Sequence, residues 1–87
     1  MTLFLIERSF TDVLDPTADD IKAIGEVNTE AGVRWLYSFL SADKRKTYCL
    51  YEADTPEAIR EAAEKAGLPA DVVIELSGQI NPDAFAN

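Results

Sequence analysis

The chain has 87 residues, 47% of them hydrophobic, and carries sixteen acidic against eight basic side chains for a formal charge of −8. A length of this order makes one domain that buries only about two-thirds of its unfolded surface, so a well-made core or a partner subunit has to supply the rest. The acidic balance argues against nucleic acid and anionic membrane as partners, since both need a basic surface, and no apolar run approaches the roughly 20 residues needed to span a bilayer.

The first segment, 2–10, opens with the apolar run Leu3-Phe4-Leu5-Ile6 bounded by charge. Such a run reads as a central strand covered on both sides. Glu7 and Arg8 cut it short, so it does not read as a secretory leader, and the single cysteine, Cys49, has no internal partner for a disulfide. A cytoplasmic protein is expected. Residues 11–16 form a turn region, and Thr17 with Asp20 three positions on resembles a capping box for a helix over 18–30. Its apolar face is Ile21, Ile24 and Val27 at helical spacing, with Gly25 weakening it by up to about 1 kcal/mol.

After Gly32 the odd positions Val33, Trp35, Tyr37 and Phe39 are large and apolar or aromatic, and the run 46–53 suits a pleated surface. Ala42 to Arg45 make the turn between them. An even loop pairs Phe39 with Tyr48, Ser38 with Cys49, Tyr37 with Leu50 and Leu36 with Tyr51. That register collects Trp35, Tyr37, Phe39, Tyr48 and Leu50 on one face and Leu36, Ser38, Leu40, Thr47, Cys49 and Tyr51 on the other. Apolar side chains on both faces imply two covers, helices on one and a second copy of the chain on the other.

Thr55-Pro56-Glu57 then starts a second helix, with Thr55 as N-cap and Pro56 where its missing donor is harmless. This helix presents Ala58, Ile59, Ala62, Ala63 and Ala66, a small-residue face that lies close on a sheet, and stops at Gly67. Residues 68–71 are a loop and 72–76 the last strand. The domain is therefore 1–76, and 77–87 is a tail expected to dock on the domain or on the dimer partner. The order βαββαβ is the ferredoxin-like α+β arrangement, a four-stranded antiparallel sheet with the first and third strands central and two helices on one face. Its bare face suits a dimeric α+β barrel.

Candidate chemistry is sparse. Cys49, mid-strand between Tyr48 and Leu50, reads first as a small buried hydrophobe and second as a redox or ligand-contacting thiol. Glu7 and Arg8 point to opposite sides of their strand, so one of them faces inward; an acid in a cleft could act as a base, whereas a strand-end charge is more often paired. Trp35, Tyr37 and the Tyr51 hydroxyl suit a small-molecule pocket, although core packing explains them as well. There is no glycine-rich phosphate loop, no paired cysteines for zinc and no histidine for a nucleophile pair. No metal or cofactor site is assigned.

Phe4-Leu5-Ile6-Glu7-Arg8, Val33-Arg34-Trp35, the run 48–53, Glu57-Ala58-Ile59-Arg60-Glu61 and the run 66–71 together resemble, in order, the DUF4242 family of small bacterial proteins. The resemblance implies a ferredoxin-like homodimer of generally unassigned role, with a Streptomyces member described as nickel-binding. Many members carry a histidine just after the Ile-Arg-Glu triplet of the second helix, where this chain has Ala62. Borderline divalent metals favour imidazole and thiolate ligands, so nickel here would rest on Cys49, carboxylates and backbone oxygens.

The sequence thus supports a small homodimeric binding or accessory protein that holds a small molecule or contacts another protein. The alternatives are a cofactor-free enzyme of the dimeric α+β barrel type, oxygenase-like or isomerase-like, and a divalent-metal protein. A cavity between sheet and helices on which Glu7 or Arg8, Cys49 and Tyr51 converge would favour the enzyme, and a filled core the binding role.

Overall fold

The computed structural model describes residues 1–78 and 80–82. Its elements are β1 (Thr2–Ser9), α1 (Ala18–Glu30), β2 (Arg34–Leu40), β3 (Lys46–Ala53), α2 (Pro56–Ala66) and β4 (Val72–Leu76). The four strands form one antiparallel sheet in the order β2-β3-β1-β4, with the first and third strands central as the ferredoxin-like order requires. Most of the tail expected to dock, residues 79 and 83–87, lies outside the described residues. Among the described residues no helix is long and apolar enough to cross a membrane.

Strict alternation on the two central strands sorts the side chains. Phe4, Ile6 and Arg8 of β1 and Thr47, Cys49, Tyr51 and Ala53 of β3 are all buried and face the helices. Leu3, Leu5, Tyr48 and Leu50 face the opposite way. That second face also receives Tyr37 and Phe39 from β2 and Val72 and Ile74 from β4, which stay 46%, 63%, 40% and 40% exposed in the single chain. Tyr37 and Phe39 meet edge to face, with ring centroids 5.4 Å apart.

One part of the expected register is corrected. The pairs Phe39 with Tyr48, Ser38 with Cys49 and Tyr37 with Leu50 are present, but Tyr51 faces Trp35 and not Leu36. A bulge between Trp35 and Tyr37 inserts Leu36 as an extra residue, and a one-residue insertion reverses the face of everything beyond it. Trp35 and Val33 therefore join the helix side, apart from Tyr37 and Phe39, and Val33 is 4% exposed within the core.

The two helices grip the sheet unequally. α2 buries Ile59, Ala62 and Ala63 and is closed at both ends: Thr55 Oγ1 accepts from Ala58 N, Pro56 opens the first turn, and Gly67, at φ 70°, and Leu68 donate back to Glu64 and Ala63. α1 has its capping box, Thr17 Oγ1 accepting from Asp20 N and Thr17 N donating to Asp20 Oδ2, yet its one buried residue is Asn28. Ile21 remains 44% exposed. The small-residue helix sits down on the sheet, and the bulkier one stands off it.

This asymmetry sets the cost of truncation. Ile6→Ala, at a fully buried position, is expected to lower stability by about 2–5 kcal/mol. Ile21→Ala is expected to cost under about 1 kcal/mol. Urea denaturation of both variants at one fixed protein concentration checks the contrast.

Candidate functional site

The register of the three strands β1, β3 and β2 lays the helix-side residues out in cross-strand rows. Arg8, Thr47 and Leu40 make one row, Ile6, Cys49 and Ser38 the next, and Phe4, Tyr51 and Trp35 the third. Over the first two rows the standing-off of α1 leaves a cavity of about 230 Å³. Arg8, Ser38, Thr47, Cys49, Tyr51 and Trp35 contribute to its floor and wall, while Leu14, Pro16, Ile21, Ile24 and Leu68 close it from above and the side. The segment that supplies Leu14 is tied to the hairpin turn: Phe10 N donates to Arg45 O at 2.8 Å and Leu14 N to Lys44 O at 2.6 Å.

Arg8 is the most unusual group in this space. It is 3% exposed, and neither ion pair among the described residues involves it. One guanidinium nitrogen donates to the Pro69 carbonyl, and the guanidinium carbon lies 5.9 Å from the centre of the Tyr51 ring. A buried ion without a counter-charge carries an effective penalty of several kcal/mol, which a backbone carbonyl and an aromatic face offset only in part. The adjacent acid gives no help, because alternation turns Glu7 to the opposite face, where it binds Lys46 Nζ at 3.0 Å.

Tyr51 is 2% exposed, and its hydroxyl accepts from Asn28 Nδ2 at 3.1 Å. Burial pushes its phenol above the ordinary tyrosine value, opposed by the nearby Arg8 charge and the Asn28 hydrogen bond. Cys49 is a free, buried thiol 3.6 Å from Thr47 Oγ1. Trp35 Nε1 donates to Ser38 Oγ at 2.9 Å across the bulge.

Of the six residues expected from sequence, Arg8, Trp35, Cys49 and Tyr51 come together here. Glu7 and Tyr37 do not, since alternation and the bulge place both on the open sheet face. Asn28, Ser38 and Thr47 were missed. Asn28 had a signal, because it continues the Ile21 and Ile24 face of α1 at i+4 and puts an amide where the pattern calls for an apolar side chain. A larger and more open concavity, about 390 Å³, lies by Gly25, Gly32 and the exposed Arg34; Asn28 lines it, and Trp35 lines both spaces. Among the described residues no group of three or more His, Cys, Asp or Glu side chains is placed to hold a metal ion.

A family model described as nickel responsive protein SCO4226-like matches residues 4–76. The chain is also similar in fold to the crystal structure of SCO4226 from Streptomyces coelicolor A3(2), with a TM-score of 0.71 and 20% identity over 90% of this chain and 99% of that one. No curated protein matches the chain. The matching family is thus described by its nickel response and not by the DUF4242 label to which the sequence motifs led.

The environment of Tyr51 makes a prediction about alkaline pH. In a Tyr37→Phe, Tyr48→Phe background, ultraviolet absorbance should show Tyr51 ionising above the ordinary value of about 10. The unfolded phenol loses its proton first, so Tyr51's contribution to stability is intact below about pH 10 and lost as pH rises through the folded value. Asn28→Ala removes a donor that favours the phenolate and should move the titration further up.

Proposed function

The chain belongs to the SCO4226-like family, and from the cavity it carries within that fold we propose that it is a small homodimeric binding protein holding a small molecule between its sheet and first helix. The observation that carries this reading is the convergence of Arg8, Cys49, Tyr51 and Trp35 on one apolar-roofed space. A lone free thiol, buried in the fold, is in keeping with a cytoplasmic address.

The same convergence favours, as a second reading, a cofactor-free enzyme. What weighs against it is the lining itself, which among the described residues contains no carboxylate and no imidazole to serve as a base near neutral pH. Tyr51 moves the wrong way for that task, since burial strengthens its hold on the proton. The dimer is supported by the open sheet face, where Leu5, Tyr37, Phe39, Tyr48, Leu50 and Ile74 form an apolar surface too continuous for a solvated monomer. A second copy placed sheet to sheet covers it with an isologous contact.

The nickel response in the family's description finds a poor donor set here. The chain has no histidine, and its one thiol lies in a wall with hydroxyls and an arginine as polar neighbours, whereas nickel at such sites is served by imidazole and thiolate.

Three measurements test these readings. Light scattering at micromolar concentration should give twice the mass of one chain, and Phe39→Glu on the open face should give the single mass. Native mass spectrometry of protein from its own host should retain a small-molecule adduct; a bare dimer under gentle conditions would remove the binding reading. Nickel added in excess should leave the melting temperature unchanged, because a ligand that does not bind the native state cannot stabilise it.

A further inference from the structure

We infer that the occupant of the cavity is a small organic carboxylate, seated with its carboxyl group on Arg8 and its apolar body beneath Leu14, Ile21 and Ile24. This rests on the proposal that the cavity is a binding site and adds the chemical class of what it binds. The argument begins with charge. A chain of sixteen acids and eight bases has placed one arginine at 3% exposure with no acid paired to it among the described residues. Glu7 is committed to Lys46 on the far face, and Asp71 Oδ2 accepts from Ser9 N at 2.7 Å.

The guanidinium carries five N–H donors in a planar fork, of which the Pro69 carbonyl takes one on Nη1 and the Tyr51 hydroxyl draws on another. The remaining donors match the two oxygens of a carboxylate side by side. Further polar groups stand in the same rows of the floor. Thr47 is the cross-strand neighbour of Arg8, and Ser38 Oγ, already accepting from Trp35 Nε1, keeps its own proton to donate. Among the described residues nothing acidic lines the space to repel an anion.

The class is narrowed by what else the cavity has. Arg8 is its one cation, so a monoanion is matched and a phosphate dianion is left half neutralised. The roof is aliphatic, which suits an organic body and not a hydrated inorganic ion. A volume of about 230 Å³ lies below the roughly 300–1,000 Å³ of sites that take drug-sized ligands. That is the scale of a benzoate or phenylacetate and falls short of a nucleotide.

Trp35 is the only tryptophan of the chain and lines the cavity, so its emission reports on the site directly. The purified full-length protein would be titrated with phenylacetate, benzoate, neutral phenylacetamide and inorganic phosphate. A saturable change with phenylacetate or benzoate is expected, with phenylacetamide at least about tenfold weaker because a charge-assisted pair is lost. Arg8→Met should weaken the acids by at least about tenfold and the amide by less, so that the gap between acid and amide closes. Acid and amide binding alike would overturn the carboxylate assignment while leaving the cavity as a binding site. Phosphate binding in preference to both acids would also overturn it. Silence from every probe, confirmed by ligand-observed NMR, would remove the binding site itself. Should Arg8→Met fail to fold, the wild-type comparison of acid with amide decides the matter alone, with Arg8→Lys as the charge-conserving variant.

Discussion

The pairing of β1 with β3 over the full length of both strands, Thr2 opposite Ala53 through Ser9 opposite Lys46, is the constraint on which the rest of the molecule depends. With a side-chain period of two, this one register decides that Phe4, Ile6, Arg8, Thr47, Cys49 and Tyr51 share the helix side. It equally decides that Glu7 and Lys46 meet on the other face. A slip of one residue would bring Glu7 under the helices and leave Arg8 in solvent. The separation of an acid from the adjacent base, which gives the cavity its uncompensated cation, is therefore a property of strand geometry and not of any local side-chain choice.

Above that floor the two helices divide the work. Alanines at 62 and 63 let α2 approach closely, and its sealed ends make it the rigid half of the cover. α1 brings isoleucines and an amide at Asn28, is held at its N-terminus by the Thr17 and Asp20 box, and leaves a gap between Ile21 and Ile24 and the helix-side residues of β2 and β3. Buried contact is concentrated on one flank and accessible volume on the other. The acidic exterior sets a field that repels anions at distance, screened within about 8 Å at physiological salt, and Arg8 is a local exception to it beneath the surface.

Much of this was legible in the sequence because the signals were local. Thr17 with Asp20, Thr55 before Pro56, and Gly67 after a run of alanines each name a helix end through a backbone group that needs a partner. The hairpin register followed from an even turn and was right from Leu40 back to Tyr37. Beyond that point it failed, since nothing in Trp35-Leu36-Tyr37 announces an inserted residue: a bulge is decided by how β2 must bend to bring Val33 into the core. Trp35 was thus assigned the wrong side, and it lines the cavity from the helix side. Asn28 carried a signal in the helical period that was passed over, whereas the apolar loop residue Leu14 carried none, because its role depends on where the loop before α1 lies over the sheet, which periodicity does not encode.

The loop over the cavity is suspended from the hairpin tip by main-chain carbonyls, Lys44 O holding Leu14 N and Arg45 O holding Phe10 N, and Lys44 takes a left-handed conformation with φ 60° at that tip. Carbonyl oxygens are common to every amino acid. The identity of the turn residues can therefore drift across relatives without altering the height of the canopy, provided the tip can still adopt that backbone shape. Divergence in the tip and constancy in the lid's position are compatible outcomes of one suspension, and relatives can change their surface chemistry here while keeping the same doorway.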